Sequence, residues 1–231
     1  RMTNRIPSYL EYLKTVAITT AGSGYTSPVT LLIDAPTGDN PIQATATATI
    51  DFAGSGDITA ITITEGGDGY SLTPSIKVAG GATTVTSTTT NTGLDAGTYT
   101  GVSPTSTSGV GEFGTFNIVI DGNGDVTSIT PVANGSNYVQ DDTISFLPTA
   151  LGGVGSELTV TGTITHINGG QGGTLTAEID IIAKADVYSQ PTISKLVGHQ
   201  LPEFIRDDHP LFQTFIEKYF EFMELTNTTD A

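Results

Sequence analysis

Hydrophobic and polar positions change rhythm twice along the chain. Residues 1–14 (RMTNRIPSYLEYLK) place Ile6, Tyr9, Leu10 and Leu13 at helical spacing after Pro7, which predicts a short N-terminal helix or arm. Residues 15–183 switch to period two: short runs of Thr, Val, Ile and Ala are broken by Gly, Asn, Asp and Ser, as half-buried strands and their turns require. Residues 201–226 return to a helical period. Asp207-Asp208-His209-Pro210 offers an acidic N-cap and a proline in the first turn. Leu211, Phe212, Phe215, Ile216, Tyr219, Phe220, Phe222 and Met223 then fall on i, i+4 rows, with Gln213, Thr214, Glu217, Lys218, Glu221 and Glu224 between them. That pattern predicts an amphipathic helix of about four turns with a wide apolar face.

Within the middle zone a unit repeats. Val16-Ala17-Ile18-Thr19 leads to Gly22-Ser23-Gly24-Tyr25 and then to the apolar run Val29 to Ile33. Ile61-Thr62-Ile63-Thr64 leads to Gly67-Asp68-Gly69-Tyr70 and then to Ile76-Lys77-Val78. A looser third copy runs from Ile129 through Gly135-Ser136-Asn137-Tyr138 to Thr143-Ile144-Ser145-Phe146, with Asn in place of the second Gly. A recurring unit of this length argues for modules arrayed along an axis. In each copy the glycines free the backbone to bend through positive φ. The tyrosine supplies a large ring for a thin core and a hydroxyl for a backbone partner.

Hairpins are expected between copies, at Ala44–Ile50 with Ile58–Ile61 and at Phe116–Ile120 with Val126–Ile129. A last pair, Leu158–Ile167 with Thr174–Ile182, is expected around Asn168-Gly169-Gly170-Gln171-Gly172-Gly173. The expected fold is therefore mainly β, about ten strands in tandem small repeat modules of hairpin or sandwich type. A short N-terminal helix and a C-terminal amphipathic helix complete it. The organisation read from the sequence is an arm at 1–14, β modules at 15–92 and 93–183, a linker at 184–200 and a docking helix at 201–231.

Charge narrows the function. Eight Lys and Arg face 24 Asp and Glu, for a net charge of −16. Lys77 is the only basic residue between Lys14 and Lys184. Phosphate recognition needs a basic stripe, so nucleic-acid binding is excluded as an expectation, and attraction to an anionic membrane surface with it. No run approaches 18 apolar residues, so no membrane span is expected. Zero Cys removes disulfides, thiolate catalysis and Cys-ligated zinc. Charged residues make up only 14% of the chain, against roughly 25% in an ordinary soluble domain. Such a chain is expected to have much of its surface covered by neighbours. It begins Arg1-Met2, which fits either a start at Met2 behind a leftover residue or a piece of a longer polypeptide.

Motifs that carry chemistry elsewhere lack their context here. Gly109-Val110-Gly111-Glu112-Phe113-Gly114 matches the dinucleotide pattern, but a Ser/Thr-rich loop precedes it and a strand follows, so no helix N-terminus meets a pyrophosphate. Asp121-Gly122-Asn123-Gly124-Asp125 begins like a calcium loop, yet Val126 and Val132 stand where Gly and a bidentate Glu are needed. A hairpin turn is the expected reading. Asp141-Asp142 reads as a surface acid pair. His166, His199 and His209 have no zinc-ligand spacing. No catalytic residue, cofactor or metal is expected, and the chain is not expected to be an enzyme.

Three segments carry a resemblance. The G-x-G-Y repeats on Thr-rich strands, the hairpin IVIDGNGDVTSITPVANGSNYVQDDTISF and the segment QLPEFIRDDHPLFQTFIEKYFEFMEL resemble virion structural proteins of tailed phages. The likeness is to large tail and baseplate-associated proteins of marine T4-like phages. In those proteins the last segment tends to open a long chain, whereas here it follows the repeats. The resemblance implies a virion protein that assembles with other virion proteins, as a homo-oligomer guessed to be a trimer, and carries no active-site residues over. Five of the nine Phe lie in residues 201–226, so that helix is expected to dock either on its own β zone or on a neighbouring subunit. The rival expectation is a fibre-like adhesin that contacts host polysaccharide through Tyr and acidic side chains after each G-x-G-Y.

Overall fold

The period-two rhythm is realised as fourteen strands among the residues that the computed structural model describes, 9–38 and 41–183. In chain order they are β1 (Tyr9–Ser23), β2 (Thr30–Ile33), β3 (Thr45–Ile50), β4 (Ile58–Glu65), β5 (Ile76–Gly80), β6 (Ala82–Thr86) and β7 (Gly97–Val102). There follow β8 (Ser106–Thr107), β9 (Glu112–Ile120), β10 (Val126–Ser136), β11 (Tyr138–Val139), β12 (Thr143–Phe146), β13 (Val160–Ile167) and β14 (Gln171–Ala183). A single 3-10 turn, Pro148–Leu151, is the one helical element among the described residues. The fold is mainly β, as the sequence predicts.

Four sheets hold these strands. The largest has seven, in the order β7-β9-β10-β6-β13-β12-β8; a second has three, β11-β5-β2; β3 with β4 and β1 with β14 form two-stranded sheets. Both internal hairpins form as expected. β3 and β4 run antiparallel with Ala48 opposite Ile61, and β9 and β10 with Ile118 opposite Ile129. The alternation on β9 shows why: Gly114, Phe116, Ile118 and Ile120 are buried while Thr115, Asn117 and Val119 are only partly covered.

Three expectations change. Residues 9–14 belong to β1, not to a helix. A spacing of four puts two residues on one face of a strand as well as of a helix, and the run continues without a break into Val16-Ala17-Ile18. Leu13 is buried in a core, and Lys14, Thr15 and Thr19 reach Asp180, Glu178 and Thr176 of β14. That order of partners makes β1 and β14 antiparallel.

The expected pair of β13 with β14 is not a ladder either: Ile167 and Gly170 share one bridge, after which β13 stays in the seven-stranded sheet and β14 joins β1. The division at 92/93 falls inside the seven-stranded sheet, where β6 lies between β10 and β13. Leu10–Ile182 forms one compact unit. The arm residues 1–8, the linker 184–200 and the docking helix 201–231 lie outside the described residues.

Two cores fill this unit. The larger gathers Tyr25, Ile50, Ile58 and Val78 with Phe116, Ile118, Tyr138, Phe146 and Ile164. Phe116 meets Tyr138 and Phe146 edge-on, with ring centroids 6.5 and 5.7 Å apart, an arrangement that adds to area burial. The smaller core holds Leu13, Ala44, Tyr70 and Ile76. Each core thus contains at least one tyrosine of the repeated motif.

Candidate functional site

The three sequence repeats fold into one device used three times. The first glycine of each motif takes a left-handed conformation, with φ of +67° at Gly22, +72° at Gly67 and +66° at Gly135. The third position does the same, at Gly24 (+79°), Gly69 (+81°) and Asn137 (+60°). Asn is among the few side chains that tolerate this region, which explains the one departure in the third copy. The chain reverses, and the tyrosine drops into a core, where Tyr25, Tyr70 and Tyr138 keep only 2%, 1% and 1% of their surface exposed.

The phenol then meets a strand edge facing the motif. Gly173 N–H donates to Tyr25 Oη at 3.2 Å and Ala44 N–H to Tyr70 Oη at 2.9 Å. Gly114 N–H donates to Tyr138 Oη. Gln43 Nε2 adds a second donor to Tyr70, at 3.2 Å. The first glycine presses on the same edge. A Cβ there would meet the carbonyl oxygen and the amide nitrogen of residues two apart: Gln171 and Gly173 for Gly22, Ile42 and Ala44 for Gly67, Glu112 and Gly114 for Gly135. Glycine is needed because two backbones touch. Each copy is a knot of reversed chain, buried ring and captured amide.

No local pattern in the sequence marks the opposed residues Ala44, Gly114 and Gly173 as partners of the tyrosines. Small residues facing each tyrosine are the signal, visible only once the strands are paired. They also account for the dinucleotide-like pattern. Gly111 lies against the ring of Tyr138 and Gly114 donates to its hydroxyl, so two of those glycines seat a tyrosine.

Burial pushes the Tyr25 phenol above its ordinary value, partly offset by the Gly173 N–H. Tyr138 is raised by burial as well; the Gly114 N–H opposes this, and the nearby Asp142 and Glu112 reinforce it. The rings are core groups with little surface to offer a sugar, so the expected contact of these tyrosines with polysaccharide is not available.

Acidic groups are similarly engaged. Asp121 Oδ1 accepts the N–H groups of Asn123 and Asp125 at 2.9 and 3.0 Å, closing the hairpin turn and holding that carboxyl below its usual range. Asp125 accepts from Asn91 N–H at 2.9 Å. Asp142 accepts Val139 N–H at 3.0 Å, and His166 Nδ1 lies 3.2 Å from Thr165 Oγ1. No three His, Asp or Glu side chains gather into a metal-holding group among the described residues. His199, His209 and the docking residues Leu211, Phe212, Phe215, Ile216, Tyr219, Phe220, Phe222 and Met223 lie outside those residues.

One concave surface stands out. A groove of about 760 Å3 runs between β2 and β3, with Leu31, Ile33 and Ala46 on its walls and Lys77, Asp34 and Asp142 along it. Lys14 pairs with Asp180 at 3.4 Å and Glu178 at 3.9 Å, whereas Lys77 has no ion pair among the described residues. Compared with known proteins, the chain matches no family model, no curated protein and no solved structure.

Proposed function

We propose that this chain is a structural subunit of a tailed-phage virion, in the tail, baseplate or neck. Its β body is the scaffold, and the amphipathic segment 201–226 is a helix that docks on a neighbouring virion protein. The observation that carries this reading is the threefold use of one knot, which commits the repeats' polar groups to holding backbones together. The conspicuous acids of the 121–125 turn are committed in the same way. Symmetric copies, guessed to be three, suit thin modules that gain most by burying against each other. In this reading the protein is not an enzyme and needs no cofactor.

The test replaces Phe215, Tyr219 and Phe222 by Ser together. The folded variant is expected to drop out of purified particles that incorporate the native chain; unchanged incorporation would sink the docking role.

The groove favours a second reading, an adhesin that binds a host glycan along β2 and β3. Its volume is in the range of ligand sites, and Lys77 is its only cation. A glycan array in which the native protein binds and Lys77→Ala does not would support it, and an empty array would dismiss it.

A further inference from the structure

The first two repeats share more than a motif. Tyr25 N–H donates to Gly56 O at 3.1 Å, and Tyr70 N–H to Glu11 O at 2.9 Å. Tyr70 lies 45 positions after Tyr25, and Gly56 lies 45 after Glu11, so each repeat receives the same bond from the other. The cores are exchanged in the same way. Leu13 is buried with Tyr70, and its counterpart Ile58 with Tyr25. Val16 and Ile63 pack on the smaller core, while their counterparts Ile61 and Ile18 pack on the larger. β2 and β5 then pair antiparallel with Leu32 opposite Lys77, again 45 positions apart. Equivalent residues face each other there, so a local two-fold axis passes through that pair.

The two outer edges of that central pair break the symmetry. β11 covers the edge of β5, with Tyr138 opposite Gly80 and Val139 opposite Ala79. The next residue, Gln140, accepts Gly172 N–H of β14 on its Oε1 at 2.7 Å. In the first repeat the counterparts of Gly80 and Ala79 are Ala35 and Asp34. The counterpart of Gly172 is Gln43, because each precedes an amide that a tyrosine captures, Gly173 and Ala44. Ala35, Asp34 and Gln43 all line the groove between β2 and β3, and β2 is the last strand of its sheet. The groove therefore lies where the other repeat has β11.

Backbone groups of β2 point into this groove. Asp34 N–H donates to Ser75 O at 3.0 Å, and successive residues of an antiparallel strand turn their backbone groups to opposite sides. Leu32 therefore faces β5 as Asp34 does, while Leu31 and Ile33 face the groove. The Ile33 carbonyl accepts Gln43 Nε2 there at 3.0 Å. Leu31 and the Ile33 N–H have no backbone partner among the described residues. Ala46 and Val110, the latter 64% exposed, add apolar wall. We infer that the β2 edge accepts one extended segment of a partner protein, antiparallel to β2 as β11 is to β5. Main-chain hydrogen bonds to Leu31 and Ile33 hold the segment, and it displaces the Gln43 amide from the Ile33 carbonyl. Alternate side chains meet the apolar walls, and one at the place of Gln140 reaches β3. The inference rests on the local two-fold and not on the virion reading.

The probe is the strand that fills the equivalent place, a synthetic peptide of residues 134–143, NGSNYVQDDT. Added at millimolar concentration to the isotope-labelled full chain, it is expected to bind saturably and to shift the amide resonances of Leu31 and Ile33. A scrambled peptide is expected to shift neither. Ile33→Pro removes an N–H that faces the groove and leaves the bonds to β5 intact; it is expected to weaken peptide binding about tenfold. Ala35→Pro, at the exposed counterpart of Gly80, takes its place where Ile33→Pro fails to fold. No saturable binding, binding that leaves the Leu31 and Ile33 amides unmoved, or equal binding by native and proline chains would each overturn the inference. A native dimer that the proline variant turns into monomers would give the edge to a second copy and overturn it too. Glycan binding lost in Lys77→Ala but kept in Ile33→Pro would give the groove to a sugar, with the same consequence. Particle incorporation is read separately, so either result leaves the virion reading to its own test.

Discussion

Gly67 shows at residue scale how little freedom the knots leave. Alanine there must hold a left-handed backbone, which costs roughly 1–2 kcal/mol, and its Cβ would run into the Ile42 carbonyl. Gly67→Ala is therefore expected to lose more than about 2 kcal/mol in urea unfolding, while Gly122→Ala, with nothing within 4 Å, stays within about 0.5 kcal/mol of the native chain. Tyr70→Phe keeps the ring but leaves the Ala44 N–H without its partner in a buried place; a loss of about 1–3 kcal/mol is expected. Titration adds a second signature. The raised phenols of Tyr25 and Tyr138 bind their protons more tightly when folded. Their contribution is complete below the ordinary tyrosine value of about 10 and is lost as pH rises through their folded values. Lys14, held up by Asp180 first and then Glu178, has the same sign. Asp121 and Glu157, held down by backbone N–H groups, contribute above the ordinary carboxylate range and lose that contribution as pH falls through their lowered values. A melting-temperature profile is expected to be flat from about pH 5 to 9.5 and to fall on both sides. A decline starting near pH 7 would contradict it.

The elements differ in how well the sequence announces them. Both internal hairpins were legible because alternation and Gly/Asp turns are local signals: Asp51–Asp57 and Asp121–Asp125 close where the polar residues cluster. The start of β1 is ambiguous in sequence because Tyr9 and Leu13 fit either period, and what decides between them is β14, far away in sequence. Local pattern likewise pairs β14 with β13, its neighbour in sequence, and not with β1. The Asn168-Gly169 turn is a true hairpin signal, but the chain uses it for a single bridge and then changes sheets. The knots were half legible. Their glycines and tyrosines stood out as repeats, whereas the amides they capture belong to pairings that no local pattern encodes. Asn168→Ala tests how the start of β14 is held: it loses the bond accepted from Gly81 N–H and the bond donated to Pro28 O, and must hold φ of +48° without them. A loss of at least about 2 kcal/mol is expected, with faster amide hydrogen exchange in β14 than in β9 and β10. Equal exchange in the two places would show that β14 is held elsewhere.

At the scale of the molecule, the described body binds itself together with backbone, tyrosine and threonine and uses few charges. Lys14 and Lys77 are its only Lys or Arg residues against fifteen acids, and they face different settings, an ion pair between β1 and β14 and a groove. Acids at turns and strand ends keep two-stranded sheets soluble and discourage pairing with the wrong chain. Such sheets, open along both edges, gain most from neighbours, which is the physical ground for the assembly reading. That reading stands or falls on one quantity, the copy number of this chain in purified particles. Quantitative mass spectrometry of intact particles against labelled standards is predicted to find the chain at a fixed stoichiometry that is a multiple of three. Its absence from particles, with the free protein a monomer in solution, would contradict the account.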